Sequence, residues 1–198
     1  MSTPNAQRSA STRGALIAAG KQLFAKHGYA GVSTQQIVKT AKVTRGALYH
    51  HFEDKRDLFR AVYEEVERDV VVEIAEQVAG QTDPWKLAID GSMAFLDICL
   101  DPAFQRIAIT DAPAVLGTAE YREIAERYGG ALIEATLTAL IDAGEIEQLP
   151  VKPLARMLTG ALIEGGVVIA TAEDEKAARR EVGEITERLL RSLATKTS

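Results

Sequence analysis

Residues 42–55 read KVTRGALYHHFEDK, and the fold of the chain is best worked out from this stretch. Thr44 stands where it can cap a short helix, and Leu48 and Phe52, four residues apart, give that helix one inward face. The same helix carries three ring side chains in succession, Tyr49, His50 and His51, although the chain has only 3 histidines. Polar rings and flanking cations at this density predict a surface that contacts a partner.

The residues before this helix complete a helix-turn-helix. Ser33 and Gln36 have the spacing of a capping box and predict a short helix that runs to about Thr40. Residues 41–43 then form a tight turn. A first helix over residues 11–27, ended by Gly28, is expected to pack on both short helices. The apolar side chains expected to lock the two short helices against it are Ile37, Val38, Val43, Leu48 and Phe52.

In a helix-turn-helix the second helix enters the major groove of DNA. Thr44 offers a hydroxyl to a phosphate, Arg45 offers a guanidinium to a guanine edge, and Gly46 lets the backbone approach the bases. Lys55 adds a cation at the positive end of the next helix, where phosphate binding is favourable. These residue types, in this order, predict a DNA-reading helix.

The distribution of charge agrees with a polyanionic partner for the N-terminal quarter. The whole chain of 198 residues has a net charge of −5. Residues 1–52 nevertheless contain 7 Lys or Arg and no Asp or Glu, whereas the remaining residues contain 16 basic and 28 acidic side chains. The first segment is therefore at +7 and the rest at −12, which favours DNA as the partner of the first.

The rest of the chain predicts an all-α fold, because apolar residues recur at spacings of three and four and no sustained alternation appears. Asp83-Pro84 and Asp101-Pro102 each mark a helix start. Further helices are expected at residues 54–79, 119–143, 154–172 and 173–193. We expect a DNA-binding domain over residues 1–53, with the first ten residues disordered, and a ligand-binding and dimerisation domain over residues 54–198.

The run VTRGALYHHF, followed by EDKRDLF, resembles the DNA-binding region of TetR-family transcriptional repressors over residues 13–66, and LFAKHGY is similar to the end of that family's first helix. The resemblance implies an all-α homodimer whose C-terminal domain binds a small molecule and thereby releases DNA. It implies base contacts for Arg45 and Gly46. At Ala47 many members carry a polar residue, and the small apolar side chain found here suits a thymine methyl. It implies contacts to the DNA backbone for Thr34, Thr44, Tyr49, His50, His51 and Lys55.

Other interpretations of these residues were weighed against the DNA-binding one. A metal site at His50 and His51 is disfavoured, because neighbouring helical residues diverge by about 100° around the axis. No metal or cofactor is expected. Tyr49 serves equally well as packing or as a phosphate contact. A small helical enzyme lacks a triad-like or metal-like pattern, since all three histidines lie within the first 51 residues. A constitutive DNA-binding protein without an effector remains an open alternative.

The C-terminal part suggests a pocket for an apolar or aromatic effector, with plain core as the competing interpretation. The residues expected to line this pocket are Trp85, Met93, Phe95, Phe104, Tyr121, Tyr128 and Met157, with Glu164 as a polar anchor. Further candidate anchors are Asp97, Arg106 and Arg122. The last two helices, residues 154–193, are expected to form the homodimer.

Cysteine usage and hydropathy predict a cytoplasmic protein that does not cross a membrane. Cys99 is the single cysteine, so an internal disulfide and a thiolate zinc cluster are excluded, and no signal-peptide pattern precedes the first helix. The most apolar segment, residues 154–172, carries Arg156, Glu164 and three glycines. These favour a buried interface helix over a membrane span.

Overall fold

The computed structural model describes residues 4–195, and within them the chain forms helices and no strand, so the all-α prediction is confirmed. The α-helices are α1 Pro4–His27, α2 Thr34–Ala41, α3 Arg45–His51, α4 Lys55–Gln77, α5 Pro84–Ile98, α6 Pro102–Phe104, α7 Ala112–Leu116, α8 Thr118–Ala125, α9 Ala131–Asp142, α10 Val151–Thr171 and α11 Glu175–Arg191. Two π-helical segments are π1 Gln105–Asp111 and π2 Glu126–Gly130.

The start of the first helix was predicted wrongly. It begins at Pro4 rather than at residue 11, so residues 4–10 are helical where disorder was expected; residues 1–3 lie outside the described part. The helix predicted over residues 119–143 is present as one helical stretch, in which π2 stands between α8 and α9. The glycine pair at 129 and 130 has low helix propensity, and the π-helical turn lies there.

The chain divides into two compact units built from separate stretches of sequence. The first unit contains the residues up to Val66 together with Pro102–Tyr121, and the second contains Glu67–Asp101 and the residues from Arg122 onward. Helix α4 contributes to both units. The compact units therefore do not follow a single cut after residue 53, and the functional division into two domains stays a prediction.

The first unit is organised around aromatic and aliphatic side chains from α1, α2, α3 and α4. Leu16, Ile37, Leu48 and Leu58 are fully buried. Phe24 and Phe59 meet edge to face with ring centroids 5.2 Å apart. Phe52, just after α3, is 3% exposed. This core holds the two short helices rigidly enough to present the outer face of α3.

The second unit packs α5, α9, α10 and α11 together. Leu137, Leu140, Ile146 and Ala155 form a core cluster against which Trp85 packs. At Gly165 a Cβ would stand 2.8 Å from Val182 Cγ1, so α10 approaches α11 closely at this point. Asp83 caps α5 by accepting from the amides of Trp85 and Lys86, as its place before Pro84 predicts.

Helix α10 is long and apolar enough, by length and composition, to cross a membrane. Its inward side packs against α5, α9 and α11 within the second unit, and this packing buries 28% of the most apolar 18-residue window of the helix. Cys99 is fully buried, as its apolar neighbours predict. Burial, followed by the nearby carboxylates of Glu67 and Asp97, raises the pKa of this thiol to about 12, so it stays protonated and unreactive.

Candidate DNA-binding site

The helix-turn-helix is specified by local hydrogen bonds that the sequence predicts. Ser33 Oγ accepts from the amide of Gln36 at 3.3 Å, and the amide of Ser33 donates to Gln36 Oε1 at 2.8 Å, which completes the capping box of α2. Lys42 ends α2 with a left-handed backbone, φ 56°. Thr44 Oγ1 then accepts from the amide of Ala47 at 3.2 Å and starts α3. The turn and both caps confirm the predicted motif.

Helix α3 divides cleanly into a buried and an exposed side. Leu48 is fully buried, whereas Thr44, Arg45, Gly46 and His50 are exposed. Thr44 uses an oxygen lone pair for its cap, so its O–H remains able to donate to a phosphate. The exposed side therefore presents a hydroxyl, a guanidinium and a bare stretch of backbone in succession.

Tyr49, which is 45% exposed, lies near two other residues that were predicted to contact DNA, Arg45 and Thr34. The guanidinium of Arg45 lies 5.5 Å from the centre of the Tyr49 ring. The polar side chains of Arg45, and then of Thr34, lower the pKa of this phenol. Tyr49 therefore lies near the first turns of both α2 and α3. Its exposure and these polar neighbours favour a surface role over plain packing.

Gly46 has open space beside it. A Cβ built there would have a single neighbour within 4 Å, Thr44 Oγ1 at 3.9 Å. No packing contact within the described residues therefore requires a glycine at this position. Partly buried Ala47 follows it at the edge of the exposed side.

The two histidines close this surface at the end of α3. The rings of His50 and His51 meet edge to face, 5.1 Å apart. Burial, then the neighbouring His50 and Arg13, lower the pKa of His51. Arg13 of α1 also lies over the Phe52 ring, at 5.3 Å. Among residues 4–195 no group of three His, Cys, Asp or Glu side chains is placed to hold a metal ion.

Lys55 has partners that sequence reasoning missed. Its Nζ donates to the carbonyls of Tyr29 and Val32, both at 2.9 Å, and lies 4.0 Å from the centre of the Tyr29 ring. Two of its three N–H groups are therefore engaged by the loop between α1 and α2. This geometry favours a role in holding the loop over a direct phosphate contact.

Asp111 is a second residue of this site whose role the sequence did not reveal. Its Oδ2 accepts from the amide of Tyr29 at 2.7 Å, across 82 positions of sequence. Asp111 lies in the stretch TDAPAVLG, residues 110–117, and no local sequence pattern indicates what this stretch contacts.

The residues predicted to bind an effector lie in both compact units, at several separate places. Phe104 and Tyr121 belong to the first unit, where Tyr121 stacks on Tyr63 with centroids 5.5 Å apart. In the second unit, Trp85 donates from Nε1 to Glu145 Oε2 at 3.1 Å. The others lie partly buried at separate places, with Met93 beside Gly183, Tyr128 under the guanidinium of Arg68, and Phe95 on α5.

Two of the predicted pocket residues face outward instead. Met157 is 73% exposed, and Glu164, on the same helix, is also exposed. Both lie on the outer side of α10, so they do not line a cavity within the second unit.

A small cleft in the second unit lies between π2 and α10. It is lined by Arg122, Glu126, Arg156, Thr159, Gly160 and Ile163. Arg156 Nε is paired with Glu126 Oε1 at 3.0 Å. The volume in which the centre of a water molecule fits is about 20 Å³. That is room for about one water and far less than a drug-sized ligand needs.

Comparison with known proteins agrees with this geometry. Residues 16–62 match the model of the bacterial regulatory proteins of the tetR family, and residues 85–193 match that of the tetracyclin repressor-like C-terminal domain. The HTH-type transcriptional regulator AcrR of Shigella flexneri is 27% identical over 184 residues, 88% of this chain and 82% of its own length.

Solved structures carry the same fold over the whole chain. A TetR-family transcriptional regulator from Pectobacterium atrosepticum superposes with a TM-score of 0.83 at 31% identity, covering 100% of both chains. RolR, solved with its ligand resorcinol, superposes with a TM-score of 0.75 at 18% identity and covers 97% of both chains. AcrR and the Pectobacterium protein are transcriptional regulators, so the enzyme alternative is set aside. The chain described here belongs to the TetR family of transcriptional regulators.

Proposed function

We propose that this protein is a ligand-responsive repressor that binds a palindromic operator as a homodimer, with α3 of each protomer in a major groove. The observation that carries the proposal is the exposed pair of Arg45 and Tyr49, with half-buried Thr34 nearby, beside the open backbone at Gly46. A two-fold dimer reads two half-sites about one helical turn of DNA apart, roughly 34 Å.

Each residue of this surface has a chemical role in the proposal. Arg45 donates to O6 and N7 of a guanine, and the space at Gly46 admits the edge of the neighbouring base. Ala47 contacts a thymine methyl. The residues that bind the DNA backbone are Thr34, Thr44, Tyr49, His50 and His51, while Lys55 holds the preceding loop. The DNA-facing segment has a charge of +7 and the remainder −12, so the attraction is confined to one end of the sequence.

The homodimer is supported by apolar side chains left uncovered on the last two helices. Met157 and Val168 of α10 are 73% and 46% exposed, and Ile185 and Leu189 of α11 are 59% and 51% exposed. We call these four residues the α10–α11 face. Leu190 and Gly165, on the same two helices, pack inside the protomer.

We propose an apolar or aromatic effector bound in the C-terminal part. RolR, a relative in fold, holds resorcinol, a small aromatic molecule. The small cleft beside π2 is too small for such a ligand, so binding at that cleft would require the helices around it to separate. Trp85, Met93, Phe95 and Tyr128 remain the candidate contacts.

The alternative is a constitutive DNA-binding protein without an effector. Because a regulator of this kind acts on chromosomal DNA, we place it in the cytoplasm.

The DNA-reading role of Arg45 is tested by Arg45→Ala against Lys39→Ala. Each variant removes one exposed cation, from α3 and from α2 respectively. The operator is first recovered by sequencing genomic fragments that the purified protein retains. We expect Arg45→Ala to lower the preference for operator over unrelated DNA by about 10- to 100-fold, corresponding to one bidentate base contact.

The measurement is a mobility shift on both DNA molecules at several salt concentrations. Lys39→Ala keeps the same preference for the operator and loses affinity equally on both, if at all. An equal, sequence-independent loss in the two variants would contradict the assignment of Arg45 to a base edge.

A further inference from the structure

The loop between α1 and α2 has a shape that few sequences accept. Gly28 adopts a left-handed backbone, φ 69°, where a side chain is strained. At Gly31 a Cβ would stand 2.5 Å from the carbonyl oxygen of His27, a distance too short for a real contact. The loop ends at Ser33, whose side chain caps α2. The position of this loop therefore determines where α2 begins and, through the tight turn, where α3 points.

Tyr29 in the middle of the loop is held on both sides of its backbone. Its amide donates to Asp111 Oδ2 at 2.7 Å, and its carbonyl accepts from Lys55 Nζ at 2.9 Å. Its ring packs against Phe59 at 5.1 Å. A charge-assisted bond on each side of one residue leaves the loop little freedom to shift.

Asp111 is itself fixed by the segment that carries it. Arg56 of α4 donates to the carbonyls of Val115 and Leu116, at 3.2 and 3.0 Å. Arg60 Nε lies 2.9 Å from Glu120 Oε1. These contacts lie within the first compact unit and fasten the segment to the first turns of α4. Asp111 thus reaches the loop from a firmly attached support.

We propose that Asp111 is a positioning residue for DNA reading: its carboxylate holds the amide of Tyr29 and so keeps the α1–α2 loop, and with it α3, in the geometry that fits the major groove. The inference rests on the proposed DNA-reading role of α3. A residue outside the helix-turn-helix, supplied by the 102–121 segment, thereby contributes to operator affinity without contacting DNA.

Loss of the Asp111 charge and loss of its hydrogen bond are expected to change DNA affinity in opposite directions. Asp111 is an acid in a unit that binds a polyanion, so removing its charge by itself strengthens DNA binding. Loss of the hydrogen bond to the Tyr29 amide weakens it. Asp111→Asn removes the charge and keeps an oxygen acceptor, whereas Asp111→Ala removes both. The two variants therefore separate positioning from electrostatics.

The experiment measures operator affinity of the full-length protein at several salt concentrations. We expect Asp111→Ala to bind the operator about tenfold more weakly, because one partly buried hydrogen bond is lost. We expect Asp111→Asn to bind as tightly as the unaltered protein or slightly more tightly. The slope of affinity against salt stays unchanged in both, because no phosphate contact is lost. Glu53→Gln, which removes an exposed acid of the same unit, serves as the matched control for loss of charge and binds as tightly as the unaltered protein or slightly more tightly.

Unchanged affinity in Asp111→Ala would overturn the inference, and so would equal losses in the alanine and asparagine variants. Hydrogen exchange at the Tyr29 amide keeps the test decisive should the alanine variant fold poorly. We expect a slowly exchanging amide in the unaltered protein, and exchange at the rate of a free amide would refute the contact. If Arg45→Ala reduces operator binding while Asp111→Ala does not, the positioning role alone fails; if Arg45→Ala has no effect, the proposed function fails.

Discussion

A methyl side chain would fit at Gly46, whereas no space exists for one at Gly31. A Cβ on Gly46 would meet only Thr44 Oγ1 at 3.9 Å, but a Cβ on Gly31 would collide with a backbone oxygen. The first glycine is therefore free of structural demand within the described residues, and the second is required by the loop. The fold therefore requires a glycine at position 31, whereas the glycine at position 46 is explained by the proposed approach of DNA.

Gly46→Ala tests that separation directly. We expect the free energy of unfolding to stay constant or to rise by up to about 1 kcal/mol, because alanine is a better helix former than glycine. Operator affinity falls about tenfold or more, since the added methyl occupies the space through which the bases approach, a loss comparable to one mismatched base pair of about 1–3 kcal/mol. Thermal unfolding and mobility shifts measure the two effects.

The matched control is Gly14→Ala on α1, where a Cβ likewise meets nothing within 4 Å. This variant gains similar helix stability and keeps its operator affinity. A Gly46→Ala protein that binds the operator normally would show that α3 does not approach DNA at this residue.

At the scale of elements, α10 and α11 differ in how their apolar residues are used. Each helix buries one side within the second unit, through Gly165 and Ile169 on α10 and Ala178 and Leu190 on α11. The α10–α11 face remains exposed on the other side. Single exposed apolar residues are ordinary, but a face shared by two adjacent helices is typical of a protein interface.

Leu189→Glu is expected to convert the dimer into a monomer, because a charge placed in an apolar interface is left without a partner. Light scattering coupled to gel filtration measures the mass, which falls from twice 21.4 kDa to 21.4 kDa. Val72→Glu on α4 is the control, since Val72 is 50% exposed and lies outside the α10–α11 face. It stays dimeric.

Both side chains are exposed in the protomer, so neither substitution disturbs the folded chain. A monomeric unaltered protein at micromolar concentration, or a Leu189→Glu variant that keeps its dimeric mass, would contradict the proposed interface.

At the scale of the whole molecule, the proposed release of the operator by an effector requires that effector binding and operator binding oppose each other. Thermodynamic linkage makes the effect reciprocal, so an effector that weakens operator binding by a given factor is itself bound more weakly by that factor when DNA is present. Trp85, the single tryptophan, lies in the second unit and reports on it.

We expect small phenols that release the operator to change the Trp85 fluorescence with the same midpoint. Tyr128→Ala weakens both effects by an equal factor, while Tyr49→Ala, on the DNA-facing surface, leaves ligand affinity unchanged in the absence of DNA. Fluorescence titrations with and without operator provide the measurement. A releasing compound with unchanged affinity for variants at both Phe95 and Tyr128 would place its site elsewhere.

Local signals account for the parts of the fold that the sequence predicts well. The capping box at Ser33, the cap at Thr44 and the Asp83-Pro84 start each involve residues within four positions of one another. Such interactions form in the same way wherever the helix is placed, so they can be recognised in sequence alone. The glycine pair at 129 and 130 marks a weak point in the predicted helix, but the π-turn at residues 126–130 could not be predicted, because a glycine pair permits a π-turn without requiring one.

The effector residues stay a prediction for a related reason. A large apolar side chain is equally at home in a core, a pocket or an interface, and its type does not distinguish them. The predicted pocket residue Met157 proved to be 73% exposed, and Trp85 proved to pack on a core cluster. Only the packing of α10 against its neighbours separates the outer side of that helix from its inner side.

The sequence by itself determined the all-α class, the helix-turn-helix, the family and the charge division, because each depends on periodicity, short spacing or composition. The tertiary structure alone decided what Lys55 and Asp111 do, since their partners at Tyr29 lie 26 and 82 positions away along the chain. A hydrogen bond over such a separation exists only after the core has brought the two segments together. Long-range contacts of this kind follow from packing, and packing is a property of the folded chain as a whole.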